Sequence, residues 1–344
     1  MDFLRHLFGG DSETPTTATV SAAVADAPAV VSAPVSVPAV GAGGARSPTT
    51  APAPAMAPRL DGARGPRAAK QKPSKRELEL QADRLKAQKE LRSRFQIVGP
   101  DTKDGGDRLP NQLTRAEFEN VARMYSDVRM GDSFLKIRDS KEQGIDPKMA
   151  KHFKDETMND IAAILQTKSG RDLVAQLDAG VVGGEGDVHS TTIQVAPPLR
   201  TGTLAADSEQ KPNMFATGNG RGAGADMKVQ YAPGLEYEDE VKKNPWSPIR
   251  SDVALFHELT HALHANRGDM HPENASPTKD QCMPGDYPGQ HLSEEYATVG
   301  LGSHAGDRVT ENAYRAERRR LAGHRGAREG DEKPSMGRRE RYLN

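Results

Sequence analysis

The stretch SDVALFHELTHALHANRG, residues 251–268, carries the main prediction about fold and function. It contains His257, Glu258 and His261 in the spacing HExxH, and a helix places residues four apart on the same face. Both imidazoles can then reach one Zn²⁺, and Glu258 lies beside them, where it can take a proton from a water molecule. The motif therefore predicts a zinc metallopeptidase in which His257 and His261 are metal ligands and Glu258 is the catalytic base.

The residues around the motif favour a metal site over a chance pattern. They are largely apolar, namely Val253, Phe256, Leu259 and Leu263. A helix with such neighbours is buried, and buried His and Glu side chains need partners. The metzincin class is excluded, because His264 and Arg267 stand where that class has Gly and His. A third ligand must therefore come from another part of the chain.

The segment HLSEEYATVGLG, residues 291–302, is predicted to supply that ligand. On a short helix Glu295 shares a face with the apolar residues Leu292, Tyr296 and Val299, so its carboxylate points inward and is the first choice. Glu294 lies on the competing face and stays open as the alternative ligand, or as an acceptor for a histidine N–H. The remaining nearby histidines fit the metal less well, and they are His264, His271, His291 and His304.

The sequence does not choose among donors that could stabilise a developing oxyanion. The candidates are Arg308, Tyr314, Arg315 and Tyr342. Two basic runs, at 318–320 and 338–341, are predicted to be a solvated tail or a rim that contacts substrate.

Composition divides the 344 residues into unequal parts. Residues 1–73 are rich in Ala, Pro, Ser and Thr, which predicts a disordered leader; 74–110 is a helical linker with a solvated helix at 74–95, and 111–344 is the zinc metalloprotease domain. Cys282 is the only cysteine, so neither a disulfide nor a thiolate metal cluster can form within the chain. A formal net charge of −1 gives no indication of nucleic acid, and we expect no Sec signal and no membrane span.

Hydrophobic periodicity predicts an α+β fold, in which several helices, one of them carrying the HExxH motif, accompany a small sheet. Helices are expected over 114–140 and 155–177, the second with a break near Ser169-Gly170, and strands over 191–196 and 226–231. The second strand is the candidate edge strand that would pair with an extended substrate. The glycine-rich stretch 218–224 is not followed by Gly-Lys-Ser/Thr, so we expect a mobile connection and not a phosphate loop.

Several motifs in order, HELTHALHANRG, then SEEYATVGLG, then TENAYRAE, resemble the NleD/HopH/XopG type III effector protease family over roughly residues 155–344. The resemblance implies a zincin fold, zinc ligands at His257 and His261, a catalytic base at Glu258 and a third ligand within EEYATVG. It also implies a bacterial protein that a type III secretion system delivers into the host cell cytoplasm, where it cleaves a signalling protein such as a kinase. The leader is longer than in that family, so its secretion boundary and a secretion-chaperone site there are expectations only.

Two other classes of function compete with a protease. A non-enzymatic host-interaction adaptor would use the helix at 74–95 to recruit partners and would hold a structural metal closed by four protein ligands. A hydrolase of small amides would need a cleft too narrow for an extended chain. The substrate, the scissile bond and the oligomeric state cannot be derived from the sequence.

Overall fold

A computed structural model describes residues 72–100, 108–138, 147–196, 201–217, 220–233, 250–271, 293–328 and 331, with 147–151 described by backbone alone. The helices are α1 (Lys75–Leu91), α2 (Arg115–Met130), α3 (Pro147–Ile164), α4 (Lys168–Ala179), α5 (Ser251–Arg267), α6 (Ser293–Val299) and α7 (Glu311–Arg320). The strands are β1 (Gln96–Ile97), β2 (Gln112–Leu113), β3 (Leu135–Ile137), β4 (Val181–Val182), β5 (Val188–His189), β6 (Thr191–Val195), β7 (Gly202–Ala205) and β8 (Met227–Tyr231). This mixture of helices and small sheets confirms the predicted α+β class.

The main sheet has four strands in the order β3-β6-β8-β7. The first three run parallel, and β7 pairs antiparallel with β8. The predicted strands over 191–196 and 226–231 are confirmed as β6 and β8. The prediction that the second of them is the edge strand was wrong, because β8 lies between β6 and β7. The edge beside helix α5 is formed by β7, a strand that the sequence did not predict.

Helix α5 is the central element of the fold. It packs on β7 and β8 on one side and on α3, α4, α6 and α7 on the others. Its residues are buried nearly all round, including Leu255, Phe256 and Leu259, as expected for a helix without a solvent face. It ends at Gly268, whose φ of 73° lets the chain turn away. The HExxH motif is therefore held from several directions at once.

Two of the predicted helices have different bounds. The helix expected over 114–140 ends at Met130, because Gly131 adopts a left-handed φ of 74° and closes the last turn. The helix expected over 155–177 is two helices, α3 and α4. The side chain of Thr167 caps α4 by accepting the N–H of Gly170, so the break lies just before the Ser-Gly pair at 169–170 where it was expected.

The described part of the glycine-rich stretch is fixed by backbone hydrogen bonds, which contradicts the expected mobile connection. Gly222 donates its N–H to Gly268 O at 2.8 Å and accepts the N–H of Gly184 at 2.9 Å. A Cβ on Gly222 would collide with the carbonyl oxygens of Asn213 and Phe215. Because these glycines have no side chain, neighbouring backbone segments can approach one another closely at the end of α5.

Helix α1 begins at a capping box formed by Ser74 and Glu77, as its sequence predicts. It is more than a solvated helix, since it packs against α2 and buries Ala87 and Leu91. The leader expected over 1–73 lies outside the described residues apart from its last two positions. No helix in the described part has the length and apolar character that a bilayer span requires.

Candidate metal and catalytic site

Two neighbouring helices bring three donor side chains together. Helix α5 supplies His257 and His261, and the short helix α6 supplies Glu295. The two histidine Nε2 atoms lie 3.0 Å apart. Glu295 Oε2 lies 3.4 Å from His257 Nε2, and its Oε1 lies 3.3 Å from His261 Nε2. All three residues are buried, and their donor atoms lie within 4.8 Å of one another.

The geometry of this cluster fits a tetrahedral metal ion. Zinc bonds of about 2.0–2.2 Å at tetrahedral angles separate neighbouring donors by about 3.3–3.5 Å, close to the separations observed here. Glu295 Oε2 is buried and has no hydrogen-bond partner among the described residues, since its 3.4 Å contact with His257 lacks hydrogen-bond geometry. A buried carboxylate oxygen left in this way needs a cation or a proton donor. The donor set of two imidazoles and one carboxylate could therefore hold a metal.

The outer nitrogen of His257 is oriented by a carboxylate from α7. Its Nδ1 bonds Glu311 Oε2 at 2.8 Å, and the other oxygen of Glu311 accepts from Arg315 Nε at 2.6 Å. Glu311 and Arg315 are both buried. This chain of contacts fixes the ring so that Nε2 points at the other donors, as carboxylates behind metal-binding histidines commonly do.

Glu294 takes the equivalent place behind His261. Its Oε1 bonds His261 Nδ1 at 3.2 Å and His264 Nδ1 at 2.6 Å, and it accepts the hydroxyl of Thr298 at 3.1 Å. The structure thus places Glu295 among the donors and Glu294 outside them, although the two residues are adjacent in sequence. Successive residues of a helix point about 100° apart, which lets one turn of α6 supply both.

The charges in this cluster are arranged to receive a divalent cation. Burial lowers the pKa of His257, but the neighbouring carboxylates of Glu295 and Glu311 outweigh burial and raise that pKa to about 9. Burial raises the pKa of Glu294, yet the neighbouring His264 and His261 bring it down to about 2. The pKa of Glu295 is held well below its usual value by His261 and His257, against the effect of burial. A divalent cation would displace one proton from each of the two imidazole rings and leave the net charge of the cluster unchanged.

Glu258 lies beside the donors on α5, and its side chain is buried. Its Oε2 accepts the hydroxyl of Thr203 on the edge strand β7 at 2.8 Å. The HExxH spacing accounts for the position of Glu258 on the helix, but the sequence did not indicate Thr203. The two residues are 55 positions apart, and no local pattern connects them.

The oxyanion candidates are engaged in other contacts. Tyr314 is fully buried, stacks on Phe256 and donates its hydroxyl to Asp252 in the first turn of α5. Arg308 forms an exposed ion pair with Asp172. Arg315 acts behind His257 through Glu311, as described above. Tyr342 and His291 lie outside the described residues.

The basic run 318–320 was predicted as solvated, and this is wrong for Arg318. Its side chain is fully buried, pairs with Asp331 at 2.9 Å and bonds Gln166 Oε1 at 2.7 Å. Asp331 also pairs with Arg250, the residue before α5, and Arg250 in turn pairs with Asp252. A buried set of ion pairs therefore joins the C-terminal segment to the start of the HExxH helix.

His271 and His304 do not join the donor cluster. The rings of these two residues lie 6.3 Å apart, and His304 Nδ1 bonds Asp307. Glu311 was missed as an orienting residue, although the spacing of four residues between Glu311 and Arg315, which suits an ion pair on one helix face, was a usable signal.

Comparisons with known proteins bear on this arrangement. No curated protein matches the chain. Among solved structures, the botulinum neurotoxin serotype HA light chain is similar, at 11% sequence identity and a TM-score of 0.30. The match covers 56% of this chain and 61% of the light chain, so it spans less than two thirds of the light chain's length. The family model Peptidase_M91, described as an effector protein, matches residues 141–336, which contain the HExxH helix and every donor of the cluster. Because that match covers more than half of the sequence, the chain belongs to this family of effector peptidases.

Proposed function

We propose that the protein is a zinc-dependent endopeptidase, with His257, His261 and Glu295 as metal ligands and Glu258 as the catalytic base. The observation that carries the proposal is the convergence of three buried donors at tetrahedral spacing, with Glu295 Oε2 left without a hydrogen-bond donor. Membership of a peptidase family supports the same chemistry. Zinc is the metal that a set of two histidines and one glutamate most often holds in such sites.

Bound zinc would supply Lewis acidity, which makes a water molecule nucleophilic at neutral pH and polarises the scissile carbonyl. Glu258 would take the proton of the attacking water and pass it to the leaving amine. Glu311 and Glu294 would keep the two imidazole rings in place by accepting their outer N–H groups. The buried surroundings would exclude bulk water and strengthen each of these interactions.

The number of donors favours catalysis over a structural metal. Only His257, His261 and Glu295 form a metal-capable group within the described ranges. A structural zinc site is closed by four protein ligands, whereas a catalytic site uses three and leaves a position for water. The adaptor hypothesis would need a fourth protein ligand.

The substrate of this peptidase is proposed to be a host protein. The family is described as effector proteins, and the order of motifs resembles the narrower NleD/HopH/XopG group, whose members act on signalling proteins. We extend this to secretion by a type III system, entry into the host cytoplasm and a role in virulence, with the leader at 1–73 as the segment that a secretion chaperone would bind. An extended peptide would pair with β7, the sheet edge next to Glu258.

Metal removal and return test the enzymatic assignment. We expect the purified chain to hold one zinc per molecule, to cut an unfolded protein substrate, to lose that activity in a chelator and to regain it with added zinc. The His257→Ala variant should hold no zinc, and Glu258→Gln should hold zinc but cut nothing. A wild-type chain that binds no zinc, or that keeps full activity after complete metal removal, would contradict the proposal.

A further inference from the structure

Thr203, on the edge strand β7, makes a contact that the proposed mechanism does not use. Its side chain is fully buried. The hydroxyl donates to Glu258 twice over, to Oε2 at 2.8 Å and to the carbonyl oxygen at 2.9 Å. A hydroxyl has one proton, so the two acceptors share it. The contact therefore ties the Glu258 carboxylate to the backbone of its own helix and to β7.

We infer that Thr203 is a positioning residue for Glu258, a role that rests on the proposed function. Its hydroxyl holds the carboxylate of the base and joins that carboxylate to strand β7. A peptide bound along β7 would thus meet a base whose carboxylate is fixed to the same strand. Thr203 touches no reacting atom, and its effect on the reaction passes through Glu258.

The same sheet offers a matched control in Thr191 on β6. Thr191 is also buried, and its hydroxyl donates to Asn266 Oδ1 at 2.8 Å. Asn266 lies on α5, as Glu258 does, but two helical turns nearer its C-terminus. Replacing either threonine by valine removes one buried hydroxyl between the sheet and α5, and only one of the two contacts involves the base.

The first test measures kcat and KM of the zinc-loaded full chain on a peptide that the wild type cuts. We expect Thr203→Val to lower kcat on the order of tenfold and to leave KM within about twofold, because the buried hydroxyl does not contact the peptide. Thr203→Ser should restore most of kcat, and Thr191→Val should leave kcat near that of the wild type. Should Thr203→Val fail to fold, Thr203→Ser and Thr203→Ala make the same comparison, since they differ by one hydroxyl.

A kcat unchanged in Thr203→Val, or a loss that Thr203→Ser does not repair, would overturn the role of Thr203 while the endopeptidase proposal stands. A zinc-loaded wild type that cuts nothing would overturn the endopeptidase proposal and this role with it.

A second readout needs neither zinc nor activity. The urea midpoint of the metal-free chain is measured for Thr203→Val, for Glu258→Ala and for the double variant. If the hydroxyl holds the carboxylate, the fall in midpoint caused by Thr203→Val should be less than half as large in the Glu258→Ala background. Equal falls in both backgrounds would show that the two side chains are not coupled and would overturn the inference.

Discussion

The adjacent glutamates of α6 allow a sharp test of which carboxylate binds the metal. The structure places Glu295 3.3 and 3.4 Å from the two histidine Nε2 atoms, and Glu294 behind His261 at 3.2 Å from its Nδ1. Glu295→Gln and Glu294→Gln each remove one buried negative charge and keep the shape of the side chain. The zinc affinities of the two variants should nevertheless differ.

The size of the difference follows from the number of ligands. A zinc site contributes about 10–16 kcal/mol, which over four coordination positions is roughly 3 kcal/mol per ligand, or on the order of 100-fold in Kd. Loss of an outer partner typically costs about 10-fold to 100-fold, and Gln at position 294 can still accept a hydrogen bond, which places it near the lower end. We therefore expect Glu295→Gln to weaken zinc binding on the order of 100-fold and Glu294→Gln about 10-fold.

Competition with a chromophoric chelator at neutral pH gives the two dissociation constants directly. Glu317→Gln is the matched control, because Glu317 lies on α7 and accepts from the backbone and hydroxyl of Ser169, away from the donors. Its zinc affinity should equal that of the wild type. If Glu294→Gln loses more affinity than Glu295→Gln, the assignment of the third ligand is wrong.

Three further outcomes follow from the structure. The pKa of His257 in the metal-free chain is raised from 6.5 to about 9, so the contribution of His257 to the free energy of unfolding is complete below pH 6.5 and is lost as pH rises to about 9. Urea titrations of the metal-free wild type should show this decline in stability. The His257→Gln variant should show a shallower decline. Arg318→Ala leaves the buried Asp331 without one partner and should lower the free energy of unfolding by about 3–5 kcal/mol in a denaturation assay. Arg319 is an exposed neighbour, and Arg319→Ala should change that free energy by less than about 0.5 kcal/mol in the same assay. Equal effects of the two substitutions would refute the buried ion pair. Gly131→Ala and Gly268→Ala both place a side chain at positive φ, but only the second would drive a Cβ into the backbone of Gly222. Measured by thermal unfolding, Gly131→Ala should lower the free energy of unfolding by about 1–2 kcal/mol, and Gly268→Ala should lower it distinctly more.

The α5 helix and its motif could be predicted from the sequence because the information is local. The spacing of four residues between the two histidines predicts that both imidazoles lie on one helix face, with the glutamate between them in sequence. The apolar neighbours indicate that this helix is buried. Strands β6 and β8 are likewise marked by β-branched and alternating residues. The same reasoning misplaced the end of α2, where Gly131 carried the signal for a left-handed cap and was overlooked.

What the sequence could not supply depends on contacts between distant segments. Strand β7 is four residues long and has no strong alternation, so neither its position at the sheet edge nor the contact of Thr203 with Glu258 has a local signal. The burial of Arg318 depends on Asp331 and Gln166, which approach it only in the folded chain. A basic run is ordinarily solvated, and tertiary ion pairing overrode that expectation here.

The central claim is that Glu258 acts as the base of a zinc endopeptidase. The most direct measurement compares new protein N-termini in a eukaryotic cell extract treated with the zinc-loaded wild type and with zinc-loaded Glu258→Ala. Discrete new N-termini are expected with the wild type alone, and they would identify the substrate and the scissile bond together. Identical N-termini in both samples, from two folded and equally zinc-loaded proteins, would contradict the role of Glu258 as the catalytic base.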